Sequence, residues 1–349
     1  MAAALPRTFR RILCEKFSPD FRQATRIVDT PMVNPGAKEL LIKNRYLGIN
    51  ASDINFTAGR YFNGDEQPPF GVGFEAIGEI VALGNECQRH FKVGNHVAYM
   101  QNGSFAEYMV VPAREAFPIP SCNPEYIPFM VSGLTASISL DQLGDLKSGE
   151  TVLVTAAAGG TGQFAVQLAK AAGCHVIGTC SSSEKAEFLR NIGCDRPVNY
   201  KTENLDQVLK KEYPKGIDVV YESIGAEMFN ICLENLAIKG RLIVIGYISG
   251  YQTAKGVSKS RNLIIPPRLL SKSSSLRGFL LFHYVKHYGK HFQKLANMYH
   301  RAELKSSVDL GQQVHYKGLD SIAEAIDYMY SGKNKGKIIV ELPKQTSML

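Results

Sequence analysis

The chain has 349 residues, long for a single domain of about 100 to 200, and its 45% hydrophobic against 21% charged content excludes a disordered protein. No apolar run approaches the roughly 20 residues of a membrane helix; Leu242 to Ile245 is typical of the longest. The 40 Lys and Arg against 32 Asp and Glu give +8, which suits phosphorylated cofactors as well as polyanions. With no RNA-binding signature or helix-turn-helix spacing, nucleic acid is set aside as a main partner.

In chain order, Met1 to Cys14 carries Arg7, Arg10 and Arg11 with no acid before Glu15. It reads as an extension outside the fold, with a mitochondrial presequence as the alternative. From Leu40 to Pro120 short strands are predicted at Leu40 to Tyr46, Ala76 to Leu83, His96 to Met100 and Ser104 to Val111, separated by Gly, Asn and Pro, which makes a small antiparallel β unit. A domain change is expected near Tyr126. Beyond it the rhythm becomes strand, glycine turn, helix, strand: Thr151 to Thr155, a helix to Ala172, His175 to Thr179, a helix from Ser183 to Ile192, then strands Asp218 to Tyr221 and Arg241 to Ile245. Such alternation requires parallel crossovers, hence a doubly wound α/β sheet. After Ile264 the pattern turns helical, at His287 to Tyr299 and Ser321 to Ser331, and a final strand, Lys337 to Leu342, is assigned back to the first β unit. The expected domains are therefore 1–125 with 300–349, and 126–299.

The seven cysteines, Cys14, Cys87, Cys122, Cys174, Cys180, Cys194 and Cys232, are odd in number with no CxxC pair and read as reduced thiols of an intracellular protein. Cys174, Cys180 and Cys232 read as small buried hydrophobes.

The sharpest motif is Ala157-x-Gly159-Gly160-Thr161-Gly162, which closes a predicted strand and opens a predicted helix. That is the setting in which glycines let the backbone approach a pyrophosphate facing the helix N-terminus. An NAD site places an acid about 20 residues further on to hold the ribose 2′-hydroxyl. Here that place holds Cys180 and Ser181, with Lys185 one turn on, so the cofactor is read as NADP(H), its extra phosphate met by hydroxyl and ammonium. Tyr200 ends a short strand beside this pocket, where it covers the phosphate or adenine or simply packs. Ser223 follows the strand Asp218 to Tyr221, and Ile245 closes the strand Arg241 to Ile245, both at the ligand-binding edge of the sheet.

These residues resemble the medium-chain dehydrogenase/reductase superfamily, in its quinone oxidoreductase and prostaglandin reductase branch. The likeness runs through Gly48 to Asp53, Gly71 to Gly78, Gly103 to Tyr108, the Ala156 to Gly162 loop, Tyr221 to Gly225, Gly246 to Tyr251, Gly278 to Leu281 and Gly336 to Val340. It implies a GroES-like β-rich domain plus a Rossmann domain, with substrate in the cleft between them. It also implies nicotinamide contacts at Phe279, Leu280 and Leu281 and a cofactor contact at Asn334. Asn50 either positions substrate or cofactor amide or, with Asp53, caps a helix.

Zinc alcohol dehydrogenases of this superfamily carry an early-loop cysteine and a Gly-His-Glu segment. This chain has Ala51-Ser52-Asp53 and Gly73-Phe74-Glu75 instead, and lacks the four-cysteine lobe. A phenyl ring cannot ligate zinc, so no metal is expected. Without a Lewis acid, reduction of a conjugated C=C fits better than alcohol oxidation. The expected activity is NADPH-dependent reduction of enones and 2-alkenals, with 15-oxo-prostaglandins as the named class. Quinone reduction, or a cofactor-binding regulatory or RNA-associated role with little turnover, stands as the alternative. Tyr61 and Tyr251 are the candidate proton donors, and either equally reads as a packing tyrosine, Tyr251 also as a cofactor cover. The expected substrate is a small apolar carbonyl or lipid. The resemblance adds a homodimer through an edge strand at or beside Arg241 to Ile245. Ser347-Met348-Leu349 approximates the peroxisomal Ser-Lys-Leu address, pointing to the peroxisome, with cytosol and mitochondrion as alternatives.

Overall fold

The computed structural model describes residues 5–61, 66–259, 264–311 and 314–343. Two compact units divide at Val131/Ser132 and at Ser307/Val308, a few residues beyond the positions expected from composition and rhythm.

The first unit begins with strand β1 (Thr8–Cys14), paired antiparallel with β2 (Thr25–Pro31). This corrects the reading of Met1 to Cys14 as an extension outside the fold. Phe9, Ile12 and Cys14 are buried, and one of the three arginines, Arg10, is tied into the unit: it pairs with Asp320 at 2.5 Å and its backbone N–H donates to Glu107 at 2.8 Å. Strand β3 (Glu39–Gly48) is the spine, with Leu40, Leu41, Ile42 and Leu47 fully buried. The short β4 (Phe70–Gly71) adds to β1, and β5 (Glu75–Leu83) pairs antiparallel with β3. Then β6 (His96–Met100) pairs with β5, β7 (Tyr108–Pro112) with β3, and β8 (Ala116–Ile119) with β6, all antiparallel. The strand expected from Ser104 starts only at Tyr108, because the Ser104 carbonyl is turned to the Asn44 carboxamide and the Phe105 N–H to Val72.

The second unit is a six-stranded parallel sheet. Its strands are β9 (Thr151–Val154), β10 (His175–Cys180), β11 (Arg196–Asn199), β12 (Ile217–Glu222), β13 (Leu236–Val244) and β14 (Ser275–Gly278), in the order β11-β10-β9-β12-β13-β14. The order reverses between β9 and β12, a topological switch point of the kind where ligands bind. Its core joins Leu153, Ile177, Val198, Val220 and Leu242 from five strands to Leu205, Leu209, Cys232 and Leu233 from the helices. The purely helical reading after Ile264 is corrected at β14, whose four residues carry no alternation yet pair in register with β13. The helix expected from His287 runs from Tyr288 to His300 after a 3-10 stretch.

The chain then returns to the first unit as β15 (Val308–Asp309) and β16 (Lys337–Glu341). Ile339 of β16 lies opposite Gly48 in an antiparallel pair with β3, so the tail is part of the seven-stranded sheet of the first unit, which is where the sequence reading assigns it. Among the described residues no helix is long and apolar enough to cross a membrane.

Candidate functional site

The loop after β9 sits at the switch point. Ala156 takes a left-handed conformation, φ 46°; its N–H donates to Thr179 Oγ1 at 3.0 Å, while the Ala157 N–H donates to the Thr179 carbonyl. The Gly162 backbone lies so close to the loop that a Cβ there would stand 2.5 Å from the Ala156 carbonyl oxygen. That closeness brings the first turn of the helix Gly162–Ala171 against the strand end, with Gly159, Gly160 and Thr161 forming the turn into it. Two side chains of this helix fix it to the chain near residue 306. The Gln163 carboxamide donates to Ser307 O and accepts from Ser307 N, and Gln167 does the same with Lys305.

The second wall is the end of β10. The Tyr200 N–H donates to the Cys180 carbonyl at 3.1 Å, and the Tyr200 side chain is exposed. Ser182 caps the helix Ser183–Asn191 by accepting the Lys185 N–H at 3.3 Å, which holds Lys185 one turn above Ser181. Burial pushes the Cys180 thiol up, opposed by its backbone hydrogen bond at Ser182 and by the charge of Lys185. The neighbouring carboxylate, Glu203, is held by Arg196 at 2.7 Å. Ser181, Lys185 and Tyr200 are therefore brought together around one strand end. Hydroxyl and ammonium groups there fit a 2′-phosphate, and the close helix start fits a pyrophosphate.

On the other side of the switch point, Thr155 Oγ1 accepts the Ser223 N–H at 2.9 Å and meets the Ser223 hydroxyl at 3.3 Å. Glu222 is buried, which pushes its carboxyl up to about 7 even though it accepts N–H bonds from Ile224 and Gly225. The Ile245 N–H donates to the Glu222 carbonyl, and that of Phe279 to the Val244 carbonyl. Phe279 is buried and stacks on Tyr284 at 4.6 Å; Leu280 is exposed and Leu281 buried. The Tyr251 hydroxyl accepts the Tyr247 N–H at 3.2 Å and its ring meets that of Tyr247 edge-on at 4.7 Å, a packing arrangement in a largely buried side chain. Tyr200, Ser181, the 157–162 loop, Ser223, Ile245 and Phe279 thus follow the carboxyl ends of β11, β10, β9, β12, β13 and β14 in strand order.

Asn50, Tyr61 and Asn334 belong to the first unit. Tyr61 accepts from Asn55 Nδ2 at 3.4 Å, and Asn334 Nδ2 donates to Gly336 O at 3.0 Å. The helix after Asn50 spans Ser52–Thr57 and receives no side-chain cap from Asn50. Instead Asp53 reaches back to accept the Asn50 N–H at 2.8 Å. The Asn50 carboxamide accepts from Lys337 Nζ at 2.5 Å and donates to Glu75 Oε1 at 3.0 Å. Glu75 also holds Lys337 at 2.5 Å and the Val131 N–H at 2.7 Å. This network is fully enclosed, Lys337 being 3% and Glu75 0% exposed at the side chain. Burial pushes the Asp53 carboxyl up to about 8, and its Oδ1 has no hydrogen-bond partner. Glu75 and Lys337 are the residues sequence reasoning missed; both lie in segments of the resemblance, but nothing local in Gly73-Phe74-Glu75 or Gly336-Lys337 says that they meet.

A zinc ion does not fit this place. Phe74 is buried and packs edge-on against Phe56 at 5.1 Å, offering no donor atom, and Glu75 already has a cation in Lys337. Among the described residues no three His, Cys, Asp or Glu side chains form a metal-holding group. The seven cysteines are unpaired, and Cys14 is pushed up to about 11 by burial, as buried thiols are.

Fold and site together define a dinucleotide-binding oxidoreductase with a separate GroES-like unit. Residues 36–121 match the alcohol dehydrogenase GroES-like domain and residues 160–298 the zinc-binding dehydrogenase family. The chain is 55% identical over 349 residues to prostaglandin reductase-3 of Mus musculus, covering 99% of this chain and 92% of that protein. It is 30% identical over 326 residues to the NADP(+)-dependent 2-alkenal reductase of Nicotiana tabacum, covering 90% of each. Escherichia coli quinone oxidoreductase, solved in complex with NADPH, superposes with a TM-score of 0.81 at 26% identity, over 95% of this chain and 99% of that one. The chain belongs to the medium-chain dehydrogenase/reductase superfamily.

Proposed function

We propose that the protein is an NADPH-dependent reductase of carbon–carbon double bonds conjugated to a carbonyl, acting on 2-alkenals and 15-oxo-prostaglandins. The observation that carries this reading is the end of β10, where Ser181 and the buried Lys185 take the place of a ribose-binding carboxylate. The relationship to prostaglandin reductase-3 and 2-alkenal reductase supports the substrate class.

NADPH, when bound, supplies a hydride to the carbon β to the carbonyl. The chain's own part is to hold and orient. Gly159, Gly160, Thr161 and Gly162 present the helix N-terminus to the pyrophosphate, while Ser181, Lys185 and Tyr200 take the adenosine phosphate. Ser223, Ile245, Phe279, Leu280 and Leu281 line the strand ends assigned to the nicotinamide, and Phe279 excludes water with an apolar wall. Tyr61 and Tyr251 are the two candidate side chains for delivering the proton to the α-carbon. The test is NADPH oxidation by purified protein with a 2-alkenal, a 15-oxo-prostaglandin and an ortho-quinone in parallel. Turnover of the first two supports the reading. NADPH binding without turnover of either would overturn it.

Quinone reduction is the second reading, favoured by the likeness to Escherichia coli quinone oxidoreductase; faster turnover of the quinone would select it. The paired form is proposed as a homodimer joined through β14, the edge of the parallel sheet, with solution mass as its measure. A role in lipid metabolism follows from the proposed substrates. Peroxisomal residence rests on Ser347-Met348-Leu349, outside the described residues, and is tested by comparing amino- and carboxyl-terminal fluorescent tags: only the latter should displace the protein.

A further inference from the structure

We propose that the amino-terminal rim of the parallel sheet, opposite the glycine loop, is a docking surface for a membrane bearing anionic headgroups. Three segments of the second unit converge there. Between the paired positions Leu236 and Arg241 of β13 the chain loops outward, with Lys239 left-handed at φ 64° and Ile238 74% exposed at the tip. Gly216 lies directly against Ala237 at the base of this loop, placing the exposed Lys215 beside it. The helix Leu205–Glu212 ends alongside with Lys210 and Lys211, tied in by the Asn235 carboxamide donating to Asp206 at 2.9 Å. The helix Ile265–Lys272 also ends here: Lys272 Nζ donates to the carbonyls of Glu234 at 3.0 Å and Leu236 at 2.5 Å. Two residues before it, Leu270 is 83% exposed.

The acids of the rim are already matched. Asp206 holds Lys210 at 2.6 Å, Glu234 holds Arg268 at 3.4 Å, and Glu212 holds Arg196 at 2.8 Å. Lys211, Lys215 and Lys239 are exposed and leave an excess of positive charge around two aliphatic tips. That combination, cations for headgroups and aliphatic side chains for the acyl boundary, is the chemistry of an interfacial contact. It suits nucleic acid poorly, because Ile238 and Leu270 offer no ring on which a base could stack. The apolar carbonyl lipids assigned to this enzyme would themselves partition into such a surface.

The experiment is co-sedimentation of the full chain with phosphatidylcholine vesicles, with and without phosphatidylserine. Binding is expected only with phosphatidylserine, weakening as salt rises. Two variants separate the contributions: Lys211→Glu with Lys215→Glu and Lys239→Glu, and Ile238→Ser with Leu270→Ser. The charge reversal should lower partitioning on the order of a hundredfold and the serine pair by about tenfold, while turnover of a soluble 2-alkenal and thermal midpoint stay at the parent value. Equal sedimentation with and without phosphatidylserine, or unchanged binding in both variants, overturns the proposal. So does a drop in solution mass in the serine pair, which would make the rim a contact between copies, or salt-sensitive binding to RNA with none to vesicles.

Discussion

The glycine loop of the second unit and the charge network of the first solve one problem, the burial of polar groups at a strand end, by opposite means. At residues 155–162 the partners are backbone groups and hydroxyls: Thr155, Thr179 and Ser223 satisfy the turn, and closeness is obtained by leaving out a side chain at Gly162. At residues 48–53 the partners are charges, Lys337 against Glu75 with Asn50 between them and Asp53 beside. In the first arrangement, removing one hydroxyl leaves a neutral N–H unpaired, at about 1 to 3 kcal/mol. The second is exposed to large penalties, because removing one ion strands another in a dry interior.

The largest expected effect therefore belongs to the first unit. Lys337→Met leaves the buried Glu75 without its cation and should destabilise the protein by about 3 to 5 kcal/mol, measured by urea denaturation. A loss below about 1 kcal/mol would mean that the network is held by its hydrogen bonds rather than its charge. Next comes Gly162→Ala, whose added methyl meets the Ala156 carbonyl and the Ala157 backbone. It should cost about 1 to 3 kcal/mol and weaken NADPH, followed by thermal melts with and without cofactor. Lys185→Ala should weaken NADPH by about tenfold to a hundredfold and leave NADH nearly unchanged, read by nucleotide fluorescence titration; equal weakening of both would remove the phosphate assignment.

The smallest effect is the pH slope of stability between about pH 7 and about pH 8. The Asp53 carboxyl is raised from 3.8 to about 8 and that of Glu222 from 4.5 to about 7. Between the ordinary and the raised values the folded chain holds protons that the unfolded chain has lost. Stability from these groups is thus full at low pH, declines as pH rises through the window, and levels off above about 8. Asp53→Asn should flatten the upper part, between about pH 7 and about pH 8, leaving the portion due to Glu222. Thermal midpoints across that range check it, and an unchanged slope would show that Asp53 ionises near the ordinary carboxyl value.

What the sequence determined is what neighbours in the chain can specify. Ala157 to Gly162 between an apolar run and a helical one, Ser181 and Lys185 at the end of the next strand, and the apolar Lys337 to Leu342 segment could each be read in place, since a turn, a cap and a strand are set by short-range sterics and periodicity. The hairpin β1–β2 escaped because its alternation is diluted by Arg10 and Arg11, and the side-chain partner of Arg10, Asp320, is far away in sequence; β14 escaped because four residues carry no period. Tertiary structure alone decided that Lys337 meets Glu75, that the Asn50 carboxamide serves this pair, and that the Tyr251 hydroxyl accepts from Tyr247. A side chain's electrostatic partner is fixed by where the sheet brings it, and no local pattern encodes a distance across 262 residues between Glu75 and Lys337.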